Sequence, residues 1–234
     1  MRIQPPPSSL RFPTAEQILK KFKEDRAELI ATGGIITPAI LLSAYIAGAF
    51  PMPISPEGKE TILAWWSPNP RGILPVESFR PSRSLRKSCS HYHTTINHCF
   101  EQVIDNCSNP DRPGGWITPE IKKNYIELHK LGWAFSIETW QDSNQQEPKL
   151  VGGLYGVSIG GLFAGESMFH KSKDASKVAL VKLVEIMSQI HNPLIDVQWA
   201  TPHLKSLGAI EISRTQYVKN LQKSLACEPP KEFS

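Results

Sequence analysis

The sequence predicts an α+β fold: a small, mainly helical unit over residues 1–67, then a mixed, mainly antiparallel sheet flanked by helices over 68–234. Three observations predict it. Residues 14–50 hold two capped apolar stretches with helical spacing. Residues 133–169 hold three strand-like runs separated by turn signals, which is the pattern of antiparallel neighbours. Helix, strand, short helix and helix then follow one another from 174 to 226.

The first 13 residues contain four prolines and are expected to be extended. Thr14 suits a helix N-cap, with Gln17 at the capping-box position and Ile18, Phe22 and Leu29 on an apolar face that "TGG" (32–34) ends. Thr37 and Pro38 provide a second cap and a proline in the first turn, so "AILLSAYIAG" reads as a helix stopped by Gly48 and Pro51. "WWSPNPRG" (65–72) is the expected boundary between the two units. Thr118 and Pro119 open a third helix with Ile121, Tyr125, Leu128 and Leu131 on its apolar side, closing at Gly132. "WAFSIETW" (133–140) and "KLVGGLYGVS" (149–158) make a hairpin around the polar "QDSNQQEP", and "GLFAGESMF" (161–169) adds a strand after Gly160 and Gly161. Residues 174–190 form an amphipathic helix, "PLIDVQW" (193–199) a strand, "PHLKSLG" a short helix and 213–226 a last helix.

Composition is that of a folded globular chain: 234 residues, 40% hydrophobic and 21% charged. Net charge is only +4, so affinity for an acidic partner must come from where the cations lie. Four cysteines without a CxxC pair, and an N-terminus without an apolar signal core, point to a reducing cytoplasm. The most apolar run, 35–50, falls short of the roughly 20 residues that span a bilayer, so it reads as a buried helix and no membrane partner is expected.

In a strand, Asp196 and Gln198 share one face while Ile195, Val197 and Trp199 share the other. An exposed sheet face would explain this; so would a cleft, since "GESMF" sets Glu166 and Met168 on one face of another strand. Between Glu77 and Glu101 there is no acid, yet Arg80, Arg83, Arg86 and Lys87 fall there with three histidines. The stretch is either a solvated basic loop or a patch for an RNA backbone. "HYHTTINHC" lacks the ligand spacing of a zinc site, and no metal is assigned. No P-loop, GxSxG elbow or strand-to-helix GxGxxG is present.

Taken in order, "TGGIITPAILLSAYIAGAFP", "WWSPNPRGIL", "SRSLRK", "GGWIT", "LVGGLYGV", "GLFAGESMF", "DASKVAL", "LIDVQ" and "HLKSLGAIEISR" resemble the leucyl/phenylalanyl-tRNA-protein transferase family over roughly residues 28–220. The resemblance implies transfer of leucine or phenylalanine, and less readily methionine, from an aminoacyl-tRNA to a protein with N-terminal Arg or Lys. The product is a degradation signal of the bacterial N-degron pathway. It also implies a GNAT-like larger domain and a monomer, with no cofactor. The alternative is a coenzyme-A-dependent GNAT-type N-acyltransferase, but "FHKSKDASKVAL" lacks the [RQ]xxGx[GA] pyrophosphate loop of those enzymes. A noncatalytic tRNA-binding module is a further possibility.

By the resemblance, Asp196 and Gln198 are the catalytic pair. Glu166 and Met168 lie near the aminoacyl-adenosine, with Trp116, Leu154 and Phe163 lining the pocket, and Arg83, Arg86 and Lys87 contact the tRNA acceptor stem. An aminoacyl ester is already activated, so the enzyme must position a neutral amine and manage one proton. Gln198 is expected to orient the amine, and Asp196 to fix Gln198 and stabilise charge. A slot lined by Met168, Phe163 and Trp116 would admit Leu, Phe and Met but clash with Cβ-branched side chains, with discrimination of roughly 1–3 kcal/mol. One departure stands out: "AFPMPIS" sets Met52 and Pro53 where family members commonly have an aromatic residue after "FP".

Overall fold

A computed structural model of the chain describes residues 2–22, 28–55, 60–111, 115–143 and 146–234. The expected caps form. Thr14 Oγ1 accepts from the Gln17 backbone N–H while Gln17 Oε1 accepts from that of Thr14, opening α1 (Ala15–Phe22). The expected run of that helix through 23–27 lies outside the described residues. Leu29 is not on a helix: it begins β1 (Leu29–Thr32), after which Gly33 and Gly34 take positive φ. Thr37 caps α2 (Pro38–Ile46); β2 (Phe50–Pro51) and β3 (Ala64–Trp66) follow. These strands form a three-stranded antiparallel sheet in the order β1-β3-β2. The first unit therefore holds a small sheet beside α1 and α2. Strands of two to four residues are too short to show a period in sequence.

The second sheet has seven strands and begins with β4 (Arg71–Ile73). The interval up to 107, read as a basic loop and a histidine-rich run, instead folds as α3 (Arg83–Cys89), β5 (His93–Ile96) and α4 (Phe100–Cys107). Ser82 caps α3, and Leu85 is the one buried position on it. Then come α5 (Pro119–Lys130), β6 (Ala134–Ser143), β7 (Gln146–Ile159) and β8 (Leu162–His170). The hairpin strands are longer than expected and take in most of the polar segment between them. After α6 (Ala175–Met187), β9 (Leu194–Gln198) and α7 (Pro202–Ser206) comes β10 (Ile210–Ile212), unforeseen, and then α8 (Arg214–Leu225).

Strand order is β10-β4-β9-β8-β7-β6-β5, antiparallel except for the parallel pair β8–β9. That pair is ordered only from Leu162–Leu194 to Ala164–Asp196. Beyond it the two strands part, and a cavity occupies the gap. Each sheet face carries its own core. One joins Ile18, Ile30, Tyr45 and Phe50 of the first unit to Tyr125, Tyr155 and Leu221 of the second, so the two sheets share it. The other packs α6 and Leu85 against Phe135, Leu154 and Phe163.

Candidate active site

β9 ends in a conformation its residue type rarely adopts: Gln198 has φ +62°. A left-handed non-glycine residue is strained by roughly 1–3 kcal/mol and needs its surroundings to hold it. Here the backbone N–H of Gln198 donates to Asp196 Oδ1 at 2.9 Å. The kink also ends the alternation expected from the sequence. Ile195 and Val197 lie against the second core, but Trp199 crosses to the first, its ring 5.0 Å from Phe50 and its Nε1 donating to Glu28 at 3.0 Å.

Asp196 is fully buried and saturated. Arg71, delivered by β4, donates from Nε to Oδ1 at 2.9 Å and from Nη2 to Oδ2 at 2.6 Å. Tyr217 of α8 donates to Oδ2 at 2.8 Å. With the Gln198 N–H, four donors fill the four lone-pair positions of the carboxylate. Arg71 is itself fixed by the Gly48 carbonyl and lies against the rings of Phe50 and Tyr217. Burial works against its charge, and the facing Asp196 more than restores it, raising its pKa.

Glu166 is presented by a β-bulge. β7 and β8 pair Gly156 with Gly165 and Tyr155 with Ser167, leaving Glu166 without an opposite number. Gly156 allows this, because a Cβ there would sit 2.3 Å from the Ala164 carbonyl oxygen. The bulge reverses the faces: Leu162, Ala164 and Phe169 lie against the first core, Phe163 and Met168 against the second. Glu166 and Met168 therefore do not share a face as alternation predicts, though both line the cavity. Gln198 Nε2 donates to Glu166 Oε1 at 3.1 Å, and Tyr125 donates to Oε2 at 2.9 Å. The Tyr125 hydroxyl is also paired with that of Tyr45 from α2. Burial pushes the Glu166 carboxyl up to about 7, against the opposing pull of the Tyr45 and Tyr125 hydroxyls.

The cavity encloses about 240 Å³ between the separated strands and α6. Its walls are Leu154, Met168, Leu180, Leu183, Ile195 and Val197, and Glu166 and Gln198 supply polar groups. His203 of α7 is at its rim, with a pKa lowered first by partial burial and then by the nearby Lys177 and His170. Such a slot, apolar with a few polar groups, has the form of a small-ligand pocket.

Two family models match the chain: leucyl/phenylalanyl-tRNA protein transferase over residues 73–222, and the N-terminal domain of the same enzyme over 34–69. The chain belongs to the leucyl/phenylalanyl-tRNA protein transferase family. Relatives bearing that name include one from Tolumonas auensis, 43% identical with 92% of this chain and 88% of the relative covered. Others come from Azoarcus sp. strain BH72, 43% identical with 94% and 89% covered, and from Salmonella arizonae, 45% identical with 92% and 87% covered. A conserved protein from Staphylococcus epidermidis aligns over 87% of this chain and 79% of its own at 10% identity, with a TM-score of only 0.39.

Of the residues expected from sequence, the transferase brings Asp196, Gln198, Glu166, Met168 and Leu154 together. Phe163 is fully buried behind the cavity, its ring 5.3 Å from Phe233. Trp116 lies on a different cavity of about 380 Å³, where Met52 and Pro53 are its neighbours. The slot is thus walled by Leu180 and Leu183 where Phe163 and Trp116 were expected. Arg83, Arg86 and Lys87 are exposed on α3, which is tied to the start of α6 by Ser88 donating to Asp174 at 3.0 Å. Among the described residues no group of three or more His, Cys, Asp or Glu could hold a metal ion, and no helix is long and apolar enough to cross a membrane. Sequence reading missed Arg71, Tyr45, Tyr125 and Tyr217. The signal was a phenol inside an otherwise apolar helix such as "AILLSAYIAG", where a buried hydroxyl needs a partner.

Proposed function

We propose that this family member transfers a leucyl or phenylalanyl group, and less readily a methionyl group, from aminoacyl-tRNA to the α-amine of a protein beginning with Arg or Lys. The observation that carries the reading is the slot itself. An apolar cavity of about 240 Å³ ends at Gln198 and Glu166, below the roughly 300–1,000 Å³ of drug-sized ligand sites and suited to one amino-acid side chain. Leu154 and Met168 hold the donor side chain, joined by Leu180 and Leu183, and Glu166 lies beside its ester. Gln198 orients the incoming amine. Asp196 does not meet substrate; it holds the kinked backbone of Gln198 in place. Trp116 and Phe163 support the donor end from outside the slot.

The tRNA acceptor stem runs over α3, where Arg83, Arg86 and Lys87 bind its phosphates. Lys177 lies between that helix and the rim of the slot, close to His203. The larger sheet, with a parallel pair that opens beside a bulge, suits a GNAT-like domain joined near residue 67 to the smaller unit. The enzyme acts as a monomer in the cytoplasm, and its product is an N-degron. Coenzyme-A chemistry fits less well. The N-cap of α6 is Asp174, whose carboxylate already takes Lys177 at 2.9 Å and Ser88 where a pyrophosphate would need free donors.

The test incubates the protein with labelled Leu-tRNA and a peptide beginning with Arg. The elongated peptide is expected with Arg and Lys acceptors. Absence of product with those and with acceptors beginning Asp or Glu, or acetylation from acetyl-CoA in its place, overturns the reading.

A further inference from the structure

We infer that Glu166 is the proton shuttle of the transfer reaction, receiving the proton of the attacking amine and passing it to the departing ribose oxygen. The inference rests on the aminoacyl-transfer reading above. Two carboxylates stand at the reaction end of the slot, and they differ in what they have left to offer. Asp196 carries four donors on its two oxygens, from Gln198, Tyr217 and two from Arg71, and is fully buried. Taking a proton from the amine would mean breaking one of these bonds. Glu166 takes Gln198 on one oxygen and Tyr125 on the other, and it lines the cavity. Even with the Tyr45 hydroxyl also pulling on it, its four lone-pair positions are not filled as those of Asp196 are.

The bulge has a purpose on this reading. Regular pairing of β7 with β8 would turn residue 166 with the strand, whereas the extra residue places the carboxylate in the gap between β8 and β9, within reach of Gln198. Among the described residues nothing donates to Gln198 Oε1. That oxygen can accept one N–H of the amine while Glu166 takes another.

The step balances. The amine nitrogen attacks the ester carbonyl carbon and a C–N bond forms. Its extra proton passes to Glu166. As the carbonyl re-forms, the bond to the ribose oxygen of the terminal adenosine breaks, and the proton moves from Glu166 to that oxygen. One N–H is lost, one O–H is gained, and the carboxylate is restored.

The charged and titratable groups facing Glu166 set its poise. Tyr45 from α2 and Tyr125 from α5 favour the carboxylate by hydrogen bonding, Asp196 from β9 opposes it, and Arg71 from β4 favours it. Tyr155 from β7 is a further neighbour, its own hydroxyl buried and without a hydrogen-bond partner among the described residues, and His203 from α7 lines the same cavity. Burial outweighs their sum and leaves the group near 7, where a shuttle works in both directions.

The experiment measures single-turnover product formation against pH with Leu-tRNA and one Arg-initiated peptide, so that the acceptor's own amine contributes the same inflection throughout. Wild-type activity in this assay establishes the transfer reading separately. Glu166→Gln is expected to slow the step by about a hundredfold or more and to remove the inflection near neutrality. Tyr125→Phe takes away a hydrogen bond to the charged form. It is expected to move that inflection to higher pH and to recover rate in alkaline buffer, which a purely structural role of Glu166 does not predict. A Glu166→Gln rate within about threefold of wild type, or a Tyr125→Phe profile that does not move, overturns the assignment. Should Glu166→Gln fail to fold, the Tyr125→Phe profile decides.

Discussion

Arg71 and Asp196 form a two-pronged ion pair with both side chains about 1% exposed, and through Gln198 that pair fixes the end of β9. Truncating one member strands the other charge in the core, at a cost of about 3–5 kcal/mol. Asp196→Ala is therefore expected to melt well below the wild type, which urea titration will show. Asp196→Asn keeps the shape and is expected to lower turnover while leaving Leu-tRNA affinity nearly unchanged, a split readable in kcat against KM.

Glu166 also makes stability depend on pH. Its folded pKa of about 7 lies above its ordinary value of 4.5, so the folded state holds its proton more tightly than the unfolded chain does. The contribution is fully present below about pH 4.5 and is lost as pH rises through 7, on the order of 3 kcal/mol in all. Glu166→Gln removes this loss. The variant is expected to be more stable than wild type at pH 8 and not at pH 5, a crossover measurable by denaturant unfolding at the two values.

On the proposed path of the acceptor stem, the exposed cations of α3 bind tRNA with counterion release. Arg83→Ala, Arg86→Ala and Lys87→Ala are each expected to weaken Leu-tRNA binding and reduce the slope of log affinity against log salt by about 1, without changing turnover at saturation. Binding measured at several salt concentrations checks this.

In the proposed function, donor choice follows the walls of the slot. Leu183→Phe fills space beside Leu180 and is expected to penalise phenylalanyl more than leucyl transfer by roughly 10- to 200-fold, the reach of small volume changes in an apolar pocket. Competition between Phe-tRNA and Leu-tRNA measures it.

Gly156→Ala places a methyl group 2.3 Å from the Ala164 carbonyl oxygen and 2.5 Å from the Phe163 ring. The bulge must deform, and both stability and turnover are expected to fall, whereas Gly165→Ala meets nothing nearer than 3.5 Å and is expected to be tolerated. Thermal melts and the transfer assay on the two variants distinguish them.

Capped helices and the long hairpin were legible in sequence because Thr-Pro starts and period-2 runs are local signals. β1, β2, β3 and β10 were not, since strands of two to four residues owe their existence to partners far along the chain. Asp196 and Gln198 were found as a pair but with the wrong neighbour on one side, because the left-handed φ of Gln198 sends Trp199 to the opposite face. Arg71 and Tyr217 sit 125 and 21 residues from Asp196, a separation no pattern within a window can show. The bulge at Glu166 was equally hidden: it depends on how Gly156 and Gly165 meet across two strands.

Tyr45 belongs to the first unit, yet its hydroxyl is paired with the Tyr125 hydroxyl that donates to Glu166 at the slot. The smaller unit is thus more than a scaffold standing beside the larger one. Repacking α2 by the width of a methyl group would loosen a phenol pair some eighty residues apart in sequence and retune an acid at the far end of it. With Glu166 as the proposed shuttle, variation in the first fifty residues adjusts the pH at which the enzyme works best while every side chain lining the slot stays the same.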